Sequence, residues 1–364
     1  MEEKEILFLN AFNTVPGVGA VTIRALKNHF GSYERAWRAN ASRYAPVYLD
    51  VAARVALMAG KNIVDPDRAM ACVVRAGVWM ITDEDAAYPP LLKQIHSPPV
   101  LLYGKGAREA LIPPVCGIAV VGTRRPTPYG IEATEAMGAA LTGAGVTVIS
   151  GCATGIDAKA HRTALEHGGA TIAVLGSGID PASFFPSENY ALAERIAAGA
   201  GAVISEYAPG TPAVKEHFPM RNRIIAGLSL GTLVVEAREK SGALITARIA
   251  LEENRDVYAV PGSIFSATSA GPNQLIRQGA RMVARAEDIL EELGIDSLPA
   301  AQETHMASLN EKEQTLLALL ETPMGIDDMK TKTMFPVPTI MATLSLLELK
   351  KLVRGVGADT FQKI

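Results

Sequence analysis

The chain has 364 residues, of which 48% are hydrophobic, enough for a large core and for more than one domain. Its formal net charge of −3 excludes a generally basic surface, so nucleic-acid binding would have to come from local basic patches. The three cysteines, Cys72, Cys116 and Cys152, form no CxxC pair, which argues against a disulfide framework or a bound metal. The charged N-terminus is unlike a signal peptide and no apolar run has membrane-spanning length, so we expect a cytoplasmic protein.

Residues 1–75 have the pattern of a helical domain. Gly17 and Gly19 stand in a tight turn between apolar stretches, as in a helix-hairpin-helix of the SAM-like kind. Glycine amides can approach a phosphate closely, and Arg24 and Lys27 would flank it. An αα-hairpin that serves only packing or protein contact fits the same residues, and both interpretations stay open.

Residues 76–296 are predicted to form a second domain. Proline-punctuated short strands lead to residue 117, after which apolar strands alternate with glycine-rich turns and helices. This alternation predicts an α/β domain with a parallel, Rossmann-like sheet, whose ligands bind at the carboxyl ends of the strands. Neither a GxGxxG fingerprint nor a P-loop is present, so we expect no nucleotide cofactor.

The first two strand-to-helix turns of this domain have anion-binding features. The strand at 117–121 is followed by Arg124 and Arg125, and the strand at 146–149 by a glycine-rich turn whose helix amides face the same edge. In the second turn, Asp157 is expected to cap the helix, and His161 to contact Asp157 rather than transfer a proton.

The turn after the third strand contains two adjacent aromatic residues, Phe184 and Phe185, and leads to Asn189 at the next helix. Two adjacent side chains cannot both face one core, so one of them is a candidate platform for stacking a nucleobase. Partial burial of both rings beneath the loop is the alternative.

The segment from His217 to Ser229 is the centre of the predicted site. Pro219 fits the first turn of a helix, which places Arg221 and Arg223 near its positive end, where a bound anion would offset the unfavourable charge. Alternatively, both arginines pair with carboxylates such as Glu206 or Glu236.

One further turn adds to this edge of the sheet. Ser241 is a good helix N-cap, and Gly242 leaves backbone donors open. No nucleophile with a neighbouring base and no metal-ligand spacing accompanies these turns, so the residues predict an anion-binding groove without evident catalytic residues.

Residues 297–310 have the composition of a linker, and residues 311–364 predict three helices and a hairpin, the outline of a winged-helix domain. Its basic residues could contact DNA, whereas Asp327 and Asp328 argue against such contact, so a protein-binding role fits equally well. The basic residues are Lys330, Lys332, Lys350, Lys351 and Arg354.

Five ordered blocks between about residues 75 and 290 resemble the DNA-processing protein A (DprA/Smf) family. They are Val121–Gly130, Ser150–His161, His217–Ser229, Glu236–Thr246 and Val260–Gly262. The resemblance implies an extended Rossmann-like fold and a non-enzymatic dimer that binds single-stranded DNA and loads the RecA recombinase onto incoming strands in natural transformation. It also implies a DNA groove that contains Arg124, Lys215, His217, Phe218, Arg221 and Asn222.

The complete set of predicted DNA-contacting residues joins the motif positions to the turn residues described above. It comprises Arg124, Arg125, Phe185, Asn189, Lys215, His217, Phe218, Arg221, Asn222, Arg223, Ser241 and Gly242. The chain departs from the family at Phe185-Pro186-Ser187-Glu188-Asn189, where many relatives have Tyr-Pro followed by a lysine.

Two other functions remain open at this stage. Gly231, Thr232 and Glu236 faintly resemble a motif of the lysine-decarboxylase-like nucleoside-monophosphate phosphoribohydrolases, although Leu230 stands where that family has its first glycine. A scaffold that binds other proteins through its terminal modules is the other alternative.

Overall fold

The computed structural model describes residues 2–112, 116–295, 310–320, 322–349, 352–357 and 359–363. The chain divides into two compact units, Met1–Ser297 and Leu298–Ile364. The predicted linker up to residue 309 and the lysines at 350 and 351 lie outside the described residues.

The first unit begins with a group of packed helices. They are α1 (Glu3–Thr14), α2 (Ala20–Phe30), α3 (Tyr33–Arg38), α4 (Val51–Lys61) and α5 (Pro66–Ala76), with a 3-10 turn at Ala41–Tyr44. Side-chain caps begin several of them: the Asp50 carboxylate accepts from the backbone of Ala53, and the Asp65 carboxylate caps α5, whose first residue is Pro66.

The predicted hairpin lies between α1 and α2, but its cations are used inside the protein. Arg24 donates to Asp83 Oδ2 through Nε at 3.0 Å and through Nη2 at 2.8 Å, and Lys27 donates to Glu5 at 2.8 Å. Gly17, at φ +81°, lies against Ala56 of α4. These contacts favour the packing interpretation of the hairpin, because neither cation is left to flank a phosphate.

The rest of the first unit is a sheet with helices on both faces. Its strands are β1 (Trp79–Thr82), β2 (Leu101–Gly106), β3 (Gly117–Val121), β4 (Thr147–Ser150), β5 (Thr171–Leu175), β6 (Ala202–Ser205), β7 (Gly231–Val234), β8 (Asp256–Ala259) and β9 (Arg281–Met282). Its helices are α6 (Pro90–Lys93), α7 (Pro128–Gly143), α8 (Ile156–Glu166), α9 (Tyr190–Ala198), α10 (His217–Leu228), α11 (Gly242–Glu252), α12 (Ala270–Arg277) and α13 (Glu287–Glu292), with 3-10 turns at Arg108–Leu111 and Ser187–Asn189.

The described strands of this sheet have the order β1-β2-β6-β5-β4-β3-β7-β8-β9. The pairs β1–β2 and β2–β6 are antiparallel and the others are parallel. All side chains of β3 and β5 are buried, as apolar strands covered by helices on both faces should be. The predicted mixed α/β fold with a large parallel sheet is therefore confirmed.

The N-terminal helices share one apolar core with the sheet. Phe12 and Ile23 belong to the same buried cluster as Tyr103 of β2 and Val203 of β6. In addition, Asn13 Nδ2 donates to the backbone carbonyl of Glu206 at 2.8 Å. The helices are thus packed on the sheet at the end of β6.

The second unit contains α14 (Glu311–Leu319), α15 (Ile326–Thr333) and α16 (Val337–Leu349) with strands β10 (Met324–Gly325), β11 (Val353–Gly357) and β12 (Thr360–Lys363). Its antiparallel sheet has the order β10-β12-β11, and Leu316, Met329 and Ile340 are in its core. Its assignment as a winged-helix domain stays a prediction. Within the described residues, no helix is long and apolar enough to cross a membrane.

Candidate functional site

A groove of about 710 Å³ lies at the carboxyl ends of the parallel strands. Strand β3 is at the switch point of the sheet, because the chain continues from it to β4 on one side and later returns as β7 on the other. Crevices in open α/β sheets form where strand order reverses in this way. The groove is lined by the turns after β3, β4, β5 and β7, by α10, by the segment before α10 and by the start of α11.

Eight of the twelve predicted residues line this groove. They are Arg124, Phe185, Lys215, Phe218, Arg221, Asn222, Ser241 and Gly242. Two further cations, Arg238 and Lys240, line it as well and were missed by the sequence analysis. Both stand in the turn that contains Ser241. The inference that this turn contributes to the edge of the sheet therefore also points to them.

Arg221 has a different environment from the one predicted. Helix α10 begins at His217, so Arg221 is its fifth residue and lies beyond the first turn. Its buried guanidinium donates through Nη1 to the backbone carbonyls of Gly151, at 2.7 Å, and of Val174. Arg221 therefore joins α10 to the ends of β4 and β5 beneath the groove.

Arg223 matches the carboxylate alternative. Its Nη2 lies 2.7 and 2.8 Å from the two carboxylate oxygens of Glu206. Both side chains are largely shielded from solvent, with 16% and 13% of their surfaces exposed. The predicted contact of Arg223 with a bound anion is therefore not supported, because its charge is neutralised outside the groove.

Three other predicted residues also lie outside the groove lining. Asn189 is buried and donates to the carbonyl of Cys152 at 2.9 Å. His217 stacks on Tyr207 with ring centroids 3.9 Å apart, and burial lowers the pKa of its imidazole. Arg125 is exposed on the turn after β3.

Glu236 holds three turns of this edge together. Its buried carboxylate accepts hydrogen bonds from the backbone N–H of Thr127 at 2.9 Å, from the Thr127 hydroxyl at 2.7 Å and from the Thr268 hydroxyl at 2.7 Å. Its backbone carbonyl accepts from Thr123 at 2.7 Å. Glu236 is not among the residues that line the groove.

Gly155 allows the turns after β3 and β4 to touch. The backbone N–H of Ile156 donates to the backbone carbonyl of Thr123 at 3.1 Å. A Cβ at Gly155 would collide with this carbonyl and with the backbone of Arg124. The φ of Gly155 is +83°, a conformation that glycine adopts at little cost. This contact brings Arg124 beside the start of α8.

Of the two adjacent aromatic residues in the turn after β5, one is buried and the other is exposed, as the stacking interpretation predicted. Phe184 is buried against Tyr190, whereas 45% of Phe185 is exposed. The ring centroid of Phe185 lies 5.8 Å from that of Phe218, and the guanidinium carbon of Arg124 lies 5.8 Å from the Phe218 centroid. An exposed aromatic face thus lies beside an exposed cation, a combination suited to a nucleobase next to its phosphate.

The expected contact between His161 and Asp157 is wrong. His161 Nδ1 lies 2.7 Å from the hydroxyl of Thr171, and that hydroxyl donates to the carbonyl of Val148 at 2.7 Å. The imidazole therefore links α8 to β5. Asp157 is buried under the groove, where Oδ2 accepts from the backbone of Ala153 at 3.4 Å.

Burial also changes the ionisation of Asp157. Removal from solvent raises the pKa of its carboxyl group from 3.8 to about 6, although the nearby Arg221 guanidinium opposes the rise. Arg221 is itself buried, and this lowers the pKa of its guanidinium. Desolvation of Asp157 thus outweighs the attraction of the neighbouring charge.

The fold and the site together define an α/β protein with a groove lined by exposed cations and aromatic rings. The model of the DNA recombination-mediator protein A family matches residues 79–294. That match covers more than half of the chain, and the chain belongs to this family. The DprA/Smf resemblance seen in the sequence is thereby confirmed.

Curated relatives and solved structures agree with this assignment. The chain is 39% identical over 300 residues to protein Smf of Synechocystis, covering 81% of this chain and 74% of the relative. It is 42% identical over 226 residues to DNA processing protein DprA of Bacillus subtilis, covering 62% of this chain and 75% of the relative.

Two solved structures show the same fold. DprA from Streptococcus pneumoniae superimposes with a TM-score of 0.68 at 33% identity, covering 80% of this chain and 98% of that chain. DprA from Helicobacter pylori, described for its single-stranded DNA binding mode, has a TM-score of 0.54 at 29% identity, covering 60% of this chain and 97% of that chain.

The raised pKa of Asp157 predicts a pH-dependent difference between wild type and Asp157→Asn. A group with a higher pKa when folded favours the folded state as it takes up its proton, so wild type should gain stability relative to the variant as the pH falls from about 8 to about 4. A shift from 3.8 to about 6 corresponds to a gain of roughly 3 kcal/mol.

Urea unfolding at several pH values measures this difference. Glu188→Gln is the control, because it makes the same change from a carboxylate to an amide at an exposed position. A difference between wild type and Asp157→Asn that stays constant with pH would contradict the assignment.

Proposed function

We propose that this protein is a single-stranded DNA-binding recombination mediator. The groove at the switch point is the observation that supports this proposal, because it joins four exposed cations to an exposed aromatic face. The family assignment and the DNA-binding relative from Helicobacter pylori point to the same ligand. The cations are Arg124, Lys215, Arg238 and Lys240.

Each part of the groove has a distinct task in this proposal. The exposed cations neutralise successive phosphates, and the amides at the start of α11, after Ser241 and Gly242, add backbone donors to an anionic oxygen. Phe185 and Phe218 offer faces on which unpaired bases stack, which a base held inside a duplex cannot do. Arg221 and Asn222 support the groove from below, since Asn222 Nδ2 donates to the carbonyl of Gly242 at 3.4 Å.

We propose that the protein acts by binding and without a cofactor. The hydrolase alternative needs an available carboxylate, whereas the Glu236 carboxylate is enclosed by Thr127 and Thr268. Release of a free base from nucleoside monophosphates by the purified chain would argue against this proposal.

Binding to fluorescent oligo-dT should fall as salt rises, because each neutralised phosphate releases condensed counterions. Changing Arg124 and Lys240 together to alanine should weaken binding to every sequence and reduce the log–log salt slope by about 1.4, or about 0.7 for each lost contact. Fluorescence anisotropy at several salt concentrations measures both quantities.

The control removes two exposed arginines of the same domain that lie outside the groove, Arg162 and Arg195. This control variant should keep the wild-type dependence of DNA affinity on salt concentration. Equal losses in the two double variants would show that overall charge, rather than the groove, governs binding.

Phe185→Ala should weaken binding to single-stranded DNA by about 1–3 kcal/mol, the usual loss when one stacking platform is removed. Phe185→Trp should keep most of the affinity because it keeps an aromatic face. Titration with single-stranded and duplex oligonucleotides measures the effect. If Phe185→Leu binds the single strand as tightly as wild type does, apolar contact is sufficient and stacking is excluded.

We further propose that the chain forms a homodimer in the cytoplasm and loads RecA onto incoming strands in natural transformation. Wild type should therefore shorten the lag before RecA hydrolyses ATP on single strands coated with single-strand-binding protein. The Arg124/Lys240 double variant should not, and light scattering should give twice the chain mass. An unchanged lag with wild type would reject RecA loading while leaving DNA binding intact.

A further inference from the structure

The N-terminal helices carry an excess of positive charge. Residues 1–76 contain ten lysines and arginines and seven aspartates and glutamates, whereas the whole chain has a net charge of −3. The two cations nearest the predicted hairpin, Arg24 and Lys27, are held by Asp83 and Glu5. A ligand of these helices would therefore have to use other cations.

Three arginines converge on one pocket of these helices. The pocket has a volume of about 540 Å³ and is lined by Arg35, Arg38 and Arg43, with His29, Phe30 and Glu34. Arg38 Nε pairs with Glu34 at 2.9 Å, but Arg35 and Arg43 form no ion pair with any residue that the structure describes. One carboxylate thus faces three guanidinium groups.

The backbone that carries these arginines is fixed from below. The Glu5 carboxylate accepts from the backbone of Tyr33, the first residue of α3, at 2.9 Å. The buried hydroxyl of Tyr44, at the end of the 3-10 turn, donates to the carbonyl of Ala36. A ligand would therefore have to order only the exposed ends of the arginine side chains, which keeps the entropic cost of binding low.

The chemistry of the pocket favours phosphate over other anions. A guanidinium group is always charged, and its planar set of N–H donors matches two phosphate oxygens at once. Three such groups around one pocket fit a chain of repeated phosphates better than one isolated anion. The ring of Phe30, beside His29 with centroids 4.7 Å apart, gives the pocket an apolar wall against which a sugar can lie.

We propose that this arginine pocket (Arg35, Arg38 and Arg43) is a second binding site for the phosphodiester backbone of nucleic acid, separate from the groove. The backbone can belong to the strand that leaves the groove or to another nucleic-acid molecule. This proposal rests on the proposed function in one respect, because both assume that the protein binds nucleic acid.

The test replaces Arg35 and Arg43 together with alanine in the full chain. A short oligo-dT of about eight nucleotides occupies one site only, so its affinity for the groove should not change. If one strand reaches both sites, an oligo-dT several times longer should bind the variant about fivefold to tenfold more weakly and with a salt slope smaller by about 1.4. If the pocket holds another molecule, the loss should appear for labelled duplex added to protein that carries one equivalent of the short oligo-dT.

The matched control replaces Arg68 and Arg75, two exposed arginines of the same helices that do not line the pocket. It should retain both affinities. The arginine pocket is refuted if the Arg35/Arg43 variant binds long strands and duplex as wild type does, or if the control loses as much. Failure of wild type to bind the short oligo-dT would instead refute the groove and the proposed function.

Discussion

The buried carboxylate of Glu236 is the interaction on which the geometry of this edge depends. A carboxylate without solvent is costly unless hydrogen bonds stabilise its charge, and here Thr127 and Thr268 supply them. Thr127 is also the N-cap of α7, so the negative charge lies at the favourable end of that helix. Gly130 is required there, because a Cβ would collide with the carboxylate.

The cations of the groove divide into a buried and an exposed group. Arg221 is buried, and its guanidinium donates hydrogen bonds to the carbonyls of Gly151 and Val174. These bonds connect α10 to two strands. Arg124 and Lys240 are exposed at the rim of the groove. A buried arginine beside the buried Asp157 therefore shapes the groove, and in the proposed function the exposed side chains at its rim supply the salt-sensitive part of binding.

The N-terminal helices and the sheet are one packed body. They share an apolar core, and the ion pair between Arg24 and Asp83 joins α2 to the turn after β1. Asn13 reaches the carbonyl of Glu206, whose side chain holds Arg223 of α10. The helices thus support the strand end that precedes α10, and Arg35, Arg38 and Arg43 line a separate pocket on these helices.

The sequence by itself determined the class of fold and the edge that carries the groove. Apolar strands that alternate with glycine-rich turns and helices pair as a parallel sheet with crossover helices, and the carboxyl ends of such strands share one edge. The turn residues Arg124, Ser241 and Gly242 were found for this reason. Lys215 and Phe218 came from the family motif.

Only the tertiary structure decided the partners of the remaining polar side chains. Arg221 meets a carbonyl 70 positions away, and Arg223 meets a carboxylate 17 positions away. Asn189 and His161 likewise bind groups on strand ends or turns that local pattern cannot bring to them. The spacing of apolar residues and the composition of turns are local properties of a sequence. Whether a charge is neutralised depends instead on which distant backbone and side-chain groups the packed sheet places beside it.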